Sequence, residues 1–283
     1  MLREDKAPCA LLGHALPSAK MLRRFLERFH EPSLFRDRPD EGAWIAPESE
    51  LLLGLSRVNV ALVQAVAKTE PTPITTATID HDATLIEAHK KEAKAHDKEG
   101  RGYQPAIAVW AETGLVIGDE FRDGNVPAGM GNLALITRAF ASLPASVTDR
   151  YFRADSACYE QQLLKWLGEP SRKIGFAVSA DMTPELRRSC EVLPPEAWAL
   201  YEERSDVILH VAEVEFAPGN WKKDAMPLRY LALRFTPRQG ELLGDGSSAH
   251  YFAVVTNREG DASDIIAWHR QKAGTVELVH DVT

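Results

Sequence analysis

Residues 150–167, RYFRADSACYEQQLLKWL, combine the pattern of a β-strand with that of an α-helix. Residues 151–154 predict a short strand, and the three leucines near the end of the stretch share one face of the helix that follows. Asp155 lies between the two elements. Because side chains at the carboxyl end of a strand in an open α/β sheet face the crevice where ligands bind, Asp155 is a candidate for chemistry. The alternative is an N-cap of the helix, a role that Ser156 is also able to fill.

The patterns on both sides of this stretch predict a mixed sheet with helices as crossovers. Helical periodicity in residues 17–30 and 48–68 predicts a helical amino-terminal region, 1–70. Region 71–180 has the order strand, strand, strand, helix, strand, helix, strand, and parallel neighbours in such a sheet need long connections. Its other predicted elements are a strand containing IDHDAT (79–84), a hairpin turning at 112–114, a helix over 132–143 and a strand over 173–180.

A second region follows residue 180. Residues 181–257 are predicted to form a β-rich insertion without a strong helix, because Pro, Gly and charged turns separate its strand-like segments. A final helix that begins near Ala262 and reaches the end of the chain forms region 258–283. In the first half of the chain, the charged residues that precede YQPAIAVW (103–110) are predicted to be a linker. The strand-like segments of the insertion are 207–216, 228–238 and 250–257.

Length and composition are those of a globular protein. The chain has 283 residues, of which 45% are hydrophobic and 26% are charged. No apolar run approaches the length of a membrane span, and the start lacks the pattern of a secretory signal, so we expect a cytoplasmic protein without a membrane partner. The three cysteines are far apart and match no metal-binding spacing.

The charge balance limits how the protein could bind nucleic acid. A net charge of −8 argues against a protein that coats nucleic acid by bulk electrostatics, because neutralising phosphates requires clustered Lys and Arg. The net charge does not exclude a local basic face. Residues 22–30 and 89–105 hold many of the positive charges of the first half and would supply it.

Asp80 and Asp82 place two carboxylates on one face of an apolar strand, about 6.5 to 7 Å apart. Buried carboxylates need a cation, a partner or solvent, so one alternative is an edge strand with a solvated Asp. With Asp155 and with Glu277 on the last helix, the carboxylates of separate elements would form the oxygen site that Mg²⁺ prefers. Such sites support phosphoryl transfer. For Glu277 alone, a solvated helix position is the alternative.

Two further patterns allow both a structural and a functional interpretation. The aromatic residues of the insertion could stack on an unpaired base, although burial in the sheet is the commoner use of such residues. The histidines of the first half suggest zinc only weakly, because two of them lie in the charged stretch. These residues are Trp198, Tyr201, Trp221 and Tyr230 for the aromatics, and His81, His89 and His96 for the histidines.

Five motifs occur in an order that is similar to that of a known family. They resemble bacterial insertion-sequence transposases of the DDE type, in particular the insertion-sequence thirteen-eighty group, over residues 74–283. The resemblance implies a ribonuclease-H-like core, a β-rich insertion before the last acid, and Mg²⁺-dependent DNA cleavage and joining, with Mn²⁺ able to substitute. The motifs are TIDHDATLIEAHK, FRDGNVPAGMGN, YFRADSACYEQQLLKWL, YFAVVTN and WHRQKAGTVE.

The resemblance also assigns residues and partners. It implies that Asp82, Asp155 and Glu277 are the catalytic and metal-binding acids, with Asp80 as the reserve for the first position. The implied partner is double-stranded DNA, both the inverted-repeat ends and the target, bound by a homodimer that associates with the nucleoid. Region 1–70 is expected to contact the DNA ends. Proteins of this group continue with a long helical segment, so a chain shortened at its carboxyl end is expected.

Two alternatives to a transposase use the same residues. The first is a ribonuclease-H-like nuclease that has the metal site but performs no strand transfer. The second is an inactive, truncated relic that folds and binds DNA. A joined product in an assay with paired transposon ends separates the transposase from both alternatives.

Overall fold

The fold is built on a nine-stranded mixed sheet, and the computed structural model describes residues 17–96, 100–219, 228–238 and 249–274. The strands of the described residues are β1 (Thr76–Ala83), β2 (Ile86–Glu87), β3 (Lys94–Ala95), β4 (Arg101–Tyr103), β5 (Ala106–Trp110), β6 (Leu115–Glu120), β7 (Asp149–Ala154), β8 (Ile174–Ala180), β9 (Ala199–Glu203), β10 (Val207–Val214), β11 (Arg229–Pro237) and β12 (His250–Thr256). The order in the large sheet is β6-β5-β1-β7-β8-β12-β11-β10-β9.

The described residues also form α-helices. They are α1 (Ala19–Glu27), α2 (Glu50–Thr69), α3 (Asn132–Ser142), α4 (Gln161–Leu167), α5 (Pro184–Glu191) and α6 (Ala262–Arg270). The predicted fold class, a mixed α/β sheet with flanking helices, is confirmed. The helices predicted in the amino-terminal region and over 132–143 are also present. The final helix begins at Ala262 as predicted, but it ends at Arg270 and a 3₁₀ turn, Gln271–Gly274, follows, so the expectation of one helix from Ala262 to the end of the chain is wrong over the described residues.

The half of the sheet that contains β1 has both strand directions. β5 and β6 form an antiparallel hairpin beside β1, and β1, β7 and β8 are parallel neighbours. The hairpin turns over residues 111–114 as predicted, and Gly114 has a φ of 68°, a left-handed conformation that glycine adopts without steric cost. The parallel strands are joined through α3 and α4, the crossover helices that this arrangement requires.

The other half consists of strands from the predicted insertion. β12, β11, β10 and β9 are antiparallel and continue the sheet from β8, so the hydrogen-bonded ladder crosses the predicted boundary at residue 180. The division into separate regions stays a prediction. The segment also contains α5, contrary to the expectation that it holds no strong helix. α5 has only eight residues, of which Leu186 and Cys190 are buried, and so gives a weak periodic signal.

The charged residues that precede YQPAIAVW (103–110) are not the simple linker that was predicted. They contribute β3 and, with Tyr103, β4, which form a small three-stranded sheet with β2. The strands are two or three residues long, too short for side-chain alternation to be recognised. Arg38 ties this sheet to the preceding loop through Asp123 and the carbonyl of Glu92.

Hydrophobic packing divides the helices between the two faces. The larger buried cluster includes residues of α2, α3, α4 and α5, whereas a second cluster packs Ile265 and Ile266 of α6 on the opposite face. The sheet residues below α6 in that second cluster include Ala177, which is level with Arg153 of β7, and Arg153 is level with Asp80 of β1. The face under α6 therefore carries Asp80 and, two residues on, Asp82.

Helix α2 packs on the sheet through one side only. Val63 and Ala67 are buried in the larger cluster, and the amides of Asn59 and Gln64 donate to carbonyls of β6 and α3. By length and composition alone, α2 is the one helix of the described residues that could cross a membrane. Its outer side exposes a row of apolar residues, Leu51, Leu55, Val58, Leu62 and Val66.

Candidate functional site

Two of the three predicted acids lie at the carboxyl ends of neighbouring parallel strands. The last paired residues of β1 and β7 are His81 and Ala154, so Asp82 and Asp155 follow at the same level. Main chains of adjacent strands are about 4.8 Å apart. Asp82 has a side chain that is 20% exposed, and Asp155 is exposed. Both carboxylates therefore lie at the carboxyl ends of the parallel strands, which is where an open sheet binds ligands.

Electrostatics link the two carboxylates. The pKa of Asp155 is raised above its usual value, mainly because the surrounding protein removes solvent, and the charge of Asp82 also raises it. Lys272 acts in the opposite direction and lowers the pKa of Asp155. The Nζ atom of Lys272 is 3.4 Å from Oδ1 of Asp82, and both side chains are mostly buried. One ammonium group thus faces both acids.

Asp155 also has a local structural role. Its Oδ1 accepts a hydrogen bond of 3.1 Å from the amide of Ala157 and caps a short 3₁₀ turn, Ser156–Cys158, before α4 begins. Asp155 is therefore an N-cap, but only of this turn. The N-cap position of α4 is Glu160, so the alternative of a cap for that helix is wrong for Asp155 and for Ser156. Capping fixes the direction of the carboxylate and leaves it at the strand end.

Asp80 is placed differently from Asp82, although both face α6. β1 lies between β5 and β7, so the alternative of a solvated edge strand is wrong. The Asp80 side chain is fully buried and accepts two hydrogen bonds from Arg153, with Nε to Oδ1 at 2.7 Å and Nη2 to Oδ2 at 2.8 Å. Burial of this carboxylate is thus compensated by a cation, one of the three possibilities that the sequence left open. The pairing favours Asp82 as the first acid of the site.

Arg153 extends this pair to the last helix. Its Nη1 donates to the carbonyl of Trp268 at 2.7 Å and to Oε1 of Gln271 at 3.3 Å. His269 makes a parallel contact, since its Nε2 lies 3.0 Å from the carbonyl of Ala154 and must carry the proton to donate to it. Burial lowers the pKa of His269 to about 4, so the ring is neutral. The end of α6 is therefore tied to β7.

An aromatic cluster supports the same contact between the end of α6 and β7. The guanidinium of Arg258 lies 4.0 Å from the centre of the Trp268 ring and 5.0 Å from that of Tyr151. Trp268 and Tyr151 also pack edge to face. Sequence reasoning missed Arg153, Arg258 and His269, because their contacts join segments that lie far apart in the chain. The available signal was Asp80, whose burial required a cation.

The opposite face of β1 has its own polar network. His81 is fully buried, its pKa is lowered to about 3 by burial, and its Nδ1 lies 3.4 Å from the sulfur of Cys158. The amide of Asn132 donates to that sulfur and to the carbonyl of Ala157, and Arg122 donates to Asn132. These contacts support the turn after Asp155 from the face of the sheet opposite to α6. They place His81 in the core, away from a role as a zinc ligand.

The third predicted acid, Glu277, lies outside the described residues. Within them, no group of three or more His, Cys, Asp and Glu side chains is placed to hold a metal ion. Asp82 and Asp155 nonetheless supply the hard oxygen ligands that suit Mg²⁺ or Mn²⁺, and Lys272 shows that a cation is accommodated beside them. The two aspartates therefore fit part of a divalent-metal site.

The aromatic residues of the insertion are divided between core and surface. Trp198 and Tyr230 are buried, and the hydroxyl of Tyr230 is 2.9 Å from that of Tyr159. The structural interpretation is thus correct for these two. Tyr201 is partly buried near α6, and Trp221 lies outside the described residues.

Comparison with known proteins identifies a family that matches this sequence. The family described as "Transposase DDE domain group 1" matches residues 1–277. A cryo-EM structure of the piggyBac transposase synaptic complex with hairpin DNA aligns with 96% of this chain at 11% identity and a TM-score of 0.48. The present chain spans about half, 49%, of the length of that protein. No curated protein matches the sequence.

Proposed function

The chain belongs to the family of group 1 DDE-domain transposases, and we propose that it cleaves DNA at transposon ends and joins the ends to target DNA. The observation that carries this proposal is the placement of Asp82 and Asp155 at the ends of adjacent parallel strands. Asp80, the competing acid, is bound to Arg153. Members of this family are generally metal-dependent, and the proposed ligands are Asp82, Asp155 and Glu277.

The residues of the site have distinct proposed tasks. Divalent Mg²⁺ or Mn²⁺, when bound, would stabilise charge on the attacking and leaving oxygens of the phosphodiester. Asp82 and Asp155 bind and orient such an ion through their carboxylates. Lys272, which the site holds 3.4 Å from Asp82, is placed to contact a phosphate oxygen once DNA enters. Water is the attacking group in cleavage, and the freed 3′-hydroxyl is the attacking group in joining.

Double-stranded DNA is the proposed partner, both as inverted-repeat ends and as target. Exposed basic residues on α1, with those of the small sheet, would form a local basic face despite the negative net charge. A homodimer in the DNA complex and association with the nucleoid remain predictions. The basic residues of α1 and its end are Lys20, Arg23, Arg24 and Arg28.

The test is a cleavage and strand-transfer assay with paired transposon ends and millimolar Mg²⁺. We expect Asp82→Asn and Asp155→Asn each to reduce cleavage by about a hundredfold or more, because removing a metal ligand removes the stabilisation of the transition state. Asp149→Asn is the matched control, since Asp149 lies at the other end of β7. It should retain activity.

The same assay decides among the alternatives. Cleavage without any joined product would support a nuclease and overturn the strand-transfer part of the proposal. DNA binding without cleavage by the parent chain would support the inactive relic. Equal activity of the parent and Asp155→Asn would show that the site has been placed wrongly.

A further inference from the structure

One guanidinium group joins three separate parts of the chain beside the candidate site. Arg153 of β7 binds the carboxylate of Asp80 on β1 through two N–H groups and the carbonyl of Trp268 on α6 through a third. It also reaches the side chain of Gln271, just beyond α6. These contacts cover sequence separations of 73, 115 and 118 residues.

The end of a helix is a suitable place for such a contact. The carbonyl of Trp268 lies in the last turn of α6, where it accepts from the amide of Gln271 as well as from Arg153, and a cation there interacts favourably with the helix dipole. Lys272 follows Trp268 by four residues, about one helical turn. A shift of the Trp268 carbonyl therefore moves Lys272 relative to Asp82, from which its Nζ is now 3.4 Å away.

The chemistry of the Arg153–Asp80 ion pair indicates that it orients neighbouring groups and does not only stabilise the fold. Both side chains are almost fully buried, at 4% and 0% exposure for Arg153 and Asp80. An apolar pair of similar volume would often stabilise a core equally well, because two buried charges lose their hydration. A planar guanidinium, however, fixes the direction of two parallel hydrogen bonds and of the third, and neither an apolar side chain nor a lysine does this.

We propose that Asp80 and Arg153 are a pair of positioning residues, which set the end of α6, and with it Lys272, against Asp82 and Asp155. This inference rests on the proposed function, since Asp82 and Asp155 are taken as the metal-binding acids. Asp80 is then required at the site without contacting metal or DNA. Its place in the IDHDAT stretch is explained by the position of Arg153 one strand away.

The first experiment compares Arg153→Lys with Arg229→Lys. Arg229 binds Glu213 through two N–H groups and the carbonyls of Arg258 and Gly260 through a third, next to the beginning of α6. For Arg153→Lys we expect the Mn²⁺ concentration at half-maximal cleavage to rise about tenfold, the effect typical of losing a partner that orients metal ligands. Arg229→Lys should leave that Mn²⁺ concentration at the value of the parent protein.

A second measurement does not depend on activity. Hydrogen exchange of the amides in residues 268–274 should accelerate in Arg153→Lys relative to the parent protein, while exchange in β12 stays as it was. Gln271→Ala provides a second, milder variant, because Gln271 is exposed. It should raise the Mn²⁺ requirement in the same direction by about threefold, a smaller loss because only one neutral hydrogen bond is removed.

The outcomes separate the positioning role from the proposed function. Unchanged Mn²⁺ dependence and unchanged exchange in both Arg153→Lys and Gln271→Ala would overturn the positioning role, and so would a lower melting temperature as the sole effect. If Arg153→Lys alone fails to fold, Gln271→Ala decides. A third outcome is faster exchange at 268–274 in Arg153→Lys, together with a parent protein that neither cleaves DNA nor binds Mn²⁺. This result would support the contact between Arg153 and α6 but reject the proposed function.

Discussion

The two ends of α6 are held by the same arrangement in opposite surroundings. At the beginning, Arg229 binds Glu213 with distances of 2.9 and 2.7 Å and donates to two carbonyls. At the end, Arg153 binds Asp80 with 2.7 and 2.8 Å and donates to the Trp268 carbonyl. The side chains are 28% and 50% exposed in the first pair, but 4% and 0% in the second. The two ion pairs have the same hydrogen-bond geometry, but we do not expect them to contribute equally to the free energy of unfolding.

Solvent explains why the two pairs should differ. An exposed ion pair exchanges good hydration for a screened attraction, so its net contribution is small. A buried pair has lost its hydration already, and removing one partner leaves a charge that nothing compensates. The comparison predicts that substitutions at the end of α6 have large effects and that equivalent substitutions at its beginning have small ones.

The largest effect is expected for Asp80→Ala. It leaves the Arg153 guanidinium buried without its carboxylate, and removing one partner of such a pair costs about 3–5 kcal/mol. Urea denaturation at neutral pH measures the loss. A loss below about 1 kcal/mol, the value typical of an exposed pair, would remove the distinction between the two ends.

The double variant Asp80→Leu/Arg153→Met sharpens the same comparison. Apolar side chains of similar volume remove both charges, so the free energy of unfolding should return to within about 1–2 kcal/mol of the parent value or exceed it. Cleavage should nevertheless stay low, because the direction of the Trp268 carbonyl is no longer fixed. Recovery of stability together with full cleavage would show that the pair has no geometric task.

A pH effect of intermediate size is expected from His269. Its pKa is lowered from 6.5 to about 4 by burial, so the folded protein resists protonation that the unfolded chain accepts. Stability from this group is complete above pH 6.5 and is lost as the pH falls toward about 4. At about 1.4 kcal/mol per pKa unit, the loss is on the order of 3 kcal/mol.

The measurement is the free energy of unfolding across this pH range in the parent and in His269→Gln. Glutamine keeps a donor for the Ala154 carbonyl but does not titrate. The difference between the two curves should therefore shrink from neutral pH downward as the parent loses its advantage. Parallel curves would mean that His269 titrates alike in the folded and unfolded chains.

The smallest effect is expected for Glu213→Gln at the beginning of α6. The pair with Arg229 is partly solvated, so its loss should cost about 0–1 kcal/mol and less at high salt. Urea denaturation at two salt concentrations measures it. A cost above about 3 kcal/mol would show that the exposed arrangement is as important to the fold as the buried one.

The positions of Asp82 and Asp155 were accessible to sequence reasoning, whereas that of Arg153 was not. Each aspartate ends an apolar strand, and strand alternation placed Asp80 and Asp82 on one face. The partner of Asp80 depends on which strand lies beside β1 and which helix covers that face, and neither follows from local pattern. The short strands β2, β3 and β4 were missed because periodicity needs longer segments.

The contacts of Arg153 also bear on how the protein is made. Asp80, Arg153 and Trp268 meet across 73 and 115 residues of chain, and contacts so distant form slowly because a large loop must be closed first. Strands β1, β5, β6 and β7 can pair while the ribosome is still translating. The contacts of Arg153 with the end of α6 form only after Trp268 and Gln271 have been synthesised. Synthesis itself would then delay assembly of the site until α6 has been made.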